Sequence, residues 1–257
     1  MLLKNKNAVI YGGGGSLGGA IARAFAKEGA RVFLAGRHME PLGIVVADIR
    51  NAGGFAEAAI VDALNEKAVR EYISNIAVKH GSLDISFNAI SVEDTQGIPL
   101  YEMQLEDFLR PLHIGMRSQF ITTSAATLEM IRQGAGVILS LTATPAGMAY
   151  PLTGGFGPLC SAVEGFSRNL AAELGPKGIR VLCMRSAGSP DSAVFKKMMA
   201  NEKNLAKSTV AALANDTMLK RLPLMHEIAG VAVFLASDLS SGMTGTTANI
   251  TCGTAMD

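Results

Sequence analysis

Tyr11-Gly12-Gly13-Gly14-Gly15-Ser16-Leu17-Gly18-Gly19 follows the apolar triplet Ala8-Val9-Ile10 and runs into Ala20-Ile21-Ala22-Arg23-Ala24-Phe25-Ala26-Lys27. The order is strand, glycine turn, helix. A helix N-terminus presents backbone N–H groups without intrahelical partners and the positive end of the helix dipole, so it suits a phosphate. Glycines supply left-handed backbone and let a ligand approach the main chain closely. The segment therefore predicts a pyrophosphate cradle formed by Gly12, Ser16, Leu17 and Gly18, and with it a nucleotide-binding chain.

The rest of the chain repeats that unit. Apolar strand candidates fall at 8–11, 31–35, 58–61, 83–87, 137–141, 181–184 and 248–250. Helical patterns lie between them at 17–27, 40–51, 66–80, 105–132, 160–174 and 227–236. Several end on glycine, such as Gly29, Gly53, Gly81 and Gly134. Strands apolar on nearly every residue have both faces covered. Alternating β and α then argues for a Rossmann-type α/β fold: one doubly wound, seven-stranded parallel sheet in a single domain over 1–257. The stretch 189–224 interrupts the rhythm. It is helical in composition and predicts a helical insertion, read either as extra packing or as a lid over a ligand cleft.

Composition narrows the function classes. Of 257 residues, 49% are hydrophobic and 18% charged, with a net charge of +1. No basic stripe points to nucleic acid, and no apolar run reaches the length of a membrane span. Three scattered cysteines, Cys160, Cys183 and Cys252, lack metal-ligand spacing and fit a reduced, cytoplasmic protein without a bound metal.

The second strand ends in Gly36-Arg37-His38, where a dinucleotide fold that binds a free ribose 2′-hydroxyl carries a carboxylate. A guanidinium pairs with a 2′-phosphate, so Arg37 predicts NADP(H) as the cofactor. Asp62 and Ala63 follow the third strand. Asp62 is read either as an acceptor for an adenine amine or as a helix cap. Asn88, Ala89 and Ile90 end the fourth strand, next to the point where strand order should reverse. Small residues there leave room for a ribose, and Asn88 alternatively satisfies a strand-end backbone group.

These pieces resemble the short-chain dehydrogenase/reductase family. The likeness is carried by Gly12-x-x-x-Ser16-x-Gly18, by the run from Leu83 to Ala89, by the run from Ala162 to Val181, and by Phe234-Leu235-Ala236-Ser237-Asp238 with Thr244-Gly245. It spans essentially the whole chain. The resemblance implies a nicotinamide cofactor, oxidoreductase chemistry and a homotetramer built through the helices at 105–132 and 160–174. The same resemblance places Phe156 and Cys160 where the family has its catalytic tyrosine and the lysine four residues later. Ala143 falls at the catalytic serine position, Gly115 at the helix asparagine, and Ser186-Ala187 at the Pro-Gly pair. Ser16 and Arg185-Ser186-Ala187-Gly188 are similar to the branch that holds enoyl-acyl-carrier-protein reductases. That branch separates its tyrosine and lysine by seven residues, and Thr153 stands there.

Tyr150 and Thr142 are the candidate catalytic residues that remain. Tyr150 is either a relocated proton donor or a loop tyrosine. Thr142, with Thr144, either bonds a substrate carbonyl or closes a strand end. Arg185 either meets an anionic group or oxyanion, or forms an ion pair; His113 packs or meets another subunit, and Cys160 is either a nucleophile or an inert buried thiol. The leading function is an NADP(H)-dependent reductase of a carbonyl or enoyl substrate with an atypical site. The alternatives are an inactive NADP(H)-binding protein, such as a sensor or partner subunit, and a non-redox enzyme on the same scaffold.

Overall fold

The computed structural model describes residues 1–201 and 203–255, and within these the side chains of all but 198, 201 and 203–206. Seven parallel strands form one sheet in the order β3-β2-β1-β4-β5-β6-β7. They are β1 (Asn7–Tyr11), β2 (Arg31–Gly36), β3 (Phe55–Ile60), β4 (Ile85–Asn88), β5 (Gly136–Ala143), β6 (Ile179–Ser186) and β7 (Thr247–Ile250). The helices are α1 (Ser16–Lys27), α2 (Met39–Asn51), α3 (Glu66–His80), α4 (Leu105–Gln133), α5 (Phe156–Leu174), α6 (Ala193–Asn201), α7 (Lys203–Asn215) and α8 (Met225–Ala236).

Side chains alternate across a strand, so each strand feeds two cores. Ala8, Ile10, Val32 and Leu34 pack with Ile21 and Phe25 of α1, Leu42 of α2 and Ile228 of α8. Val9, Tyr11, Phe33 and Ala35 pack on the other face with Val69 of α3, Ile121 of α4 and Ala171 of α5. Strand order reverses between β1 and β4, where Tyr11 pairs with Asn88. In an open parallel sheet, ligands bind beyond the carboxyl ends of the strands at such a reversal.

Element boundaries differ from the sequence reading where polar residues intervene. β3 begins at Phe55 because Phe55 to Ile60 pair with Arg31 to Gly36, and Glu57 had interrupted the apolar pattern. β4 begins at Ile85. Ahead of it, the Asp84 carboxylate accepts from the Asn7 backbone N–H at 2.8 Å, and Leu83 N–H donates to Gln133 Oε1 at 3.2 Å. α5 begins four residues before Cys160, at Phe156, with Pro158 in the first turn, where no intrahelical donor is missed. α8 begins at Met225, two residues before the expected start, and the Glu227 carboxylate accepts from Leu224 N–H at 2.8 Å.

The 189–224 stretch holds α6 and α7, both beyond the carboxyl end of β6. Asp191 pins its base by accepting from Met225 N–H at 3.2 and 3.3 Å. Gly115 has no side chain where Leu159 of α5 presses against α4. Any larger residue there would meet the leucine, so the two helices interlock at that point.

Candidate functional site

The cradle is built by steric exclusion. Gly12 closes β1 with φ +73°, and a Cβ there would run into the Ala89 carbonyl at the end of β4. A Cβ at Gly18 would strike the Gly12 carbonyl. Only glycine permits both approaches, and they bring the start of α1 against the strand reversal. Gly15 is the N-cap of α1, so the N–H groups of the helix's first turn open toward the space above β1.

A cavity of ≈ 300 Å³ occupies that space. Gly12, Gly14 and Gly15 line it on the cradle side, with Arg37, His38, Asp62, Ala63, Ala89 and Ile90 among the other lining residues, whereas Ser16, Leu17 and Gly18 are not part of that lining. Asn65, not Asp62, caps α3, its side chain accepting from Ala68 N–H at 3.1 Å. The Asp62 carboxylate instead accepts from Leu64 N–H at 3.0 Å within its own turn. Asn88 is buried below the cavity. It donates to Thr122 Oγ1 at 3.1 Å and accepts from Ile90 N–H at 3.1 Å, which fixes the turn that carries Ala89 and Ile90. The Ser16 hydroxyl accepts from Ala193 N–H at 2.9 Å, tying the first residue of α6 to the glycine loop.

Arg37 forms an ion pair with Glu93 at 3.2 Å, the two side chains being 59% and 54% exposed. An exposed pair of this kind contributes about 0–1 kcal/mol. Arg37 is therefore held only weakly at the cavity rim. Sequence reading missed Glu93, whose role depends on the fold of the loop after β4 and leaves no local pattern.

A second cavity of ≈ 530 Å³ lies beyond β5 and β6 and beneath α6 and α7. It brings together Leu17, Thr142, Thr144, Tyr150 and Phe156, with Ser186 and Ala187 across from them. Tyr150 is half-buried, and its carbonyl accepts from Thr153 Oγ1 at 3.3 Å. Phe156 is the first residue of α5. Cys160 sits one turn further on, and burial pushes its thiol up to about 11, so it is protonated and unreactive at neutral pH. His113 is exposed on α4. Among the described residues there is no cluster of His, Cys, Asp and Glu able to hold a metal, and no helix long and apolar enough to cross a membrane.

Under the cavity floor lies a buried polar network. Arg185 Nε donates to Glu164 Oε1 at 2.8 Å and Nη2 to Oε2 at 2.7 Å. The two side chains are 7% and 5% exposed. Of the two readings of Arg185, the structure holds the ion pair. Thr142 Oγ1 donates to the same Glu164 Oε1 at 3.0 Å, with the Met184 carbonyl at 3.4 Å as a second acceptor, so its hydroxyl is engaged within the network. Glu164 was overlooked as a partner, although a signal existed. Glu164 on an apolar helix face and Arg185 inside an apolar strand are each unaffordable alone, and two such charges of opposite sign call for each other. Removing one member strands the other. Glu164→Ala is expected to lower unfolding stability by about 3–5 kcal/mol, read by urea denaturation. A loss under ~0.5 kcal/mol would show that the pair has no structural weight.

Residues 13–255 match the family model described as enoyl-(acyl carrier protein) reductase. The chain is 31% identical over 245 residues to an uncharacterized oxidoreductase, YxbG, of Bacillus subtilis, covering 95% of this chain and 88% of that one. It is 28% identical over 255 residues to the 3-oxoacyl-[acyl-carrier-protein] reductase FabG of Chlamydia trachomatis, covering 99% of each. Among solved structures, NAD⁺-bound xylitol dehydrogenase superposes with a TM-score of 0.90 at 24% identity, over 98% of this chain and 100% of that one. A gluconate 5-dehydrogenase from Burkholderia cenocepacia, in complex with NADP and tartrate, superposes with a TM-score of 0.88 at 22% identity, over 98% and 96%. The all-parallel sheet, its reversal point at the glycine cradle and these matches agree: the chain belongs to the short-chain dehydrogenase/reductase family of oxidoreductases.

Proposed function

We propose that this protein is an NADP(H)-dependent oxidoreductase that reduces a carbonyl or enoyl group without the family's tyrosine–lysine pair. The observation that carries the cofactor reading is Arg37. It lines the cavity beside the glycine cradle, at the end of the strand where a carboxylate would select a free 2′-hydroxyl. Solved structures of the same fold hold NAD⁺ in one case and NADP in another, so the fold leaves the choice to such side chains. The first turn of α1 would hold the pyrophosphate, Arg37 the 2′-phosphate, and the turn of Ala89 and Ile90 the ribose between them. Bound nicotinamide cofactor supplies hydride.

The chain's own part is to place the acceptor group and deliver a proton. Phe156 has no proton to give, and Cys160 is buried and too short to stand in for a lysine ammonium. The Thr142 hydroxyl is engaged with Glu164 and the Met184 carbonyl, so its part is to position the substrate and not to give up a proton. Tyr150 carries the one phenol among the described residues lining this cavity. In the proposed step its hydroxyl gives the proton to the substrate oxygen or carbon as hydride adds, and water restores it.

Cofactor choice is read by nicotinamide fluorescence on titration. NADPH is expected to bind at least ~10-fold tighter than NADH, and Arg37→Asp to erase that difference. Glu93→Gln is expected to tighten NADPH by no more than ~5-fold, because it removes only an exposed competitor. NADH binding as tightly as NADPH in the wild type would reverse the assignment. The proton donor is tested by NADPH oxidation across ketones, quinones and enoyl thioesters. Tyr150→Phe is expected to reduce turnover ~10²-fold or more, and unchanged turnover removes Tyr150 from the mechanism.

A further inference from the structure

The cavity beneath α6 and α7 differs from the cofactor cavity in one respect that bears on what it accepts. The cofactor cavity has Arg37, His38, Asp62 and Glu93 in its walls. None of the described side chains lining the second cavity is charged. Its roof is Val194, Phe195 and Leu213, and Leu222, Met225 and Ile228 form a further wall. Hydroxyls are interspersed, among them those of Tyr150, Ser186 and Thr209.

The charged groups nearest by already have partners. Arg185 and Glu164 form their bidentate pair below the floor, and the Asp191 carboxylate accepts from Met225 N–H. An ionised ligand group entering this space would lose its hydration and find no opposite charge among these side chains. That penalty is large for an unpaired ion and small for a hydroxyl or carbonyl that meets a hydroxyl. Val194 makes the complementary point, because it lines the cavity while 75% exposed. An apolar ligand would cover it and gain by doing so.

We infer that the substrate is an electrically neutral, predominantly apolar molecule bearing an isolated carbonyl, enone or hydroxyl, held between the α6–α7 roof and the ends of β5 and β6. This rests on the oxidoreductase reading only in taking the cavity as the place where substrate sits. Its size, ≈ 530 Å³ before any nicotinamide enters, suits a compact lipophilic ligand. The tie between Ser16 and Ala193 joins the roof to the cradle, and Leu17, next to Ser16, lines the cavity itself.

The test is a binding measurement that needs no turnover. Nile red, a neutral fluorophore, is bound to the full-length protein with and without saturating NADPH, then displaced by 2-decanone or by decanoate at pH 8. The two competitors share chain length and differ in charge. The neutral ketone is expected to displace the dye at roughly 10-fold lower concentration or better. Val194→Asp, on an exposed position of the roof, is expected to weaken displacement by the ketone by a similar factor. Leu239→Asp, an exposed position elsewhere on the surface, is expected to leave it unchanged. Decanoate matching or outcompeting the ketone would overturn the inference, as would indifference to Val194→Asp. Failure of NADPH to bind, seen in the parallel titration, would count against the cofactor reading alone, because the ketone–decanoate comparison is also made without cofactor.

Discussion

The glycine cradle depends on one close approach. The backbone of Gly12, at the end of β1, lies against the Ala89 carbonyl at the end of β4, and Gly18 lies against the Gly12 carbonyl. Those contacts leave no room for a Cβ at either glycine. They seat the N-terminus of α1 at the point where strand order reverses, which is where an open parallel sheet has an empty crevice. Sheet topology creates the crevice, and the glycines let a helix dipole face it. Arg37, Asp62 and Ile90 then line it because the strands preceding them run parallel and end at the same level.

The second half of the site is governed by a different constraint. Arg185 and Glu164 are buried together, and Thr142 is bonded to the same carboxylate. Each member is tolerable only because the others are present. The network fixes β5, β6 and α5 relative to one another at the base of the second cavity. It also withholds its charges from that cavity. An apolar roof over a floor whose charges are paired with one another differs from the charged walls of the first cavity.

Much of this was legible in the residues, and the parts that were not have identifiable reasons. The strand–glycine–helix order at 8–27 carries its own geometry, so β1, the turn and α1 could be read locally. Alternating apolar strands and helices were enough for the sheet. Local patterning failed where a partner is distant. Asp62 offered a plausible cap, yet Asn65 takes that role, because the chain makes an extra turn before α3. Glu93 meets Arg37 across 56 residues, and Glu164 meets Arg185 across 21. Each pair exists only once the sheet has assembled. α5 starts earlier than its apolar pattern, and its N-cap Gly155 lies where a Cβ would meet the Phe108 carbonyl of α4, an approach that neither sequence segment announces.

The central claim is that the α1 cradle and Arg37 together hold a 2′-phosphorylated dinucleotide. Phosphorus NMR of NADP⁺ titrated with the protein tests both parts at once, since the pyrophosphate and 2′-phosphate give separate resonances. Both resonances are expected to shift or broaden with the wild type, and only the pyrophosphate pair with Arg37→Ala. A 2′-phosphate signal that stays sharp and unshifted while the pyrophosphate responds in the wild type would contradict the role of Arg37. Silence of all three phosphorus signals would contradict the cradle itself.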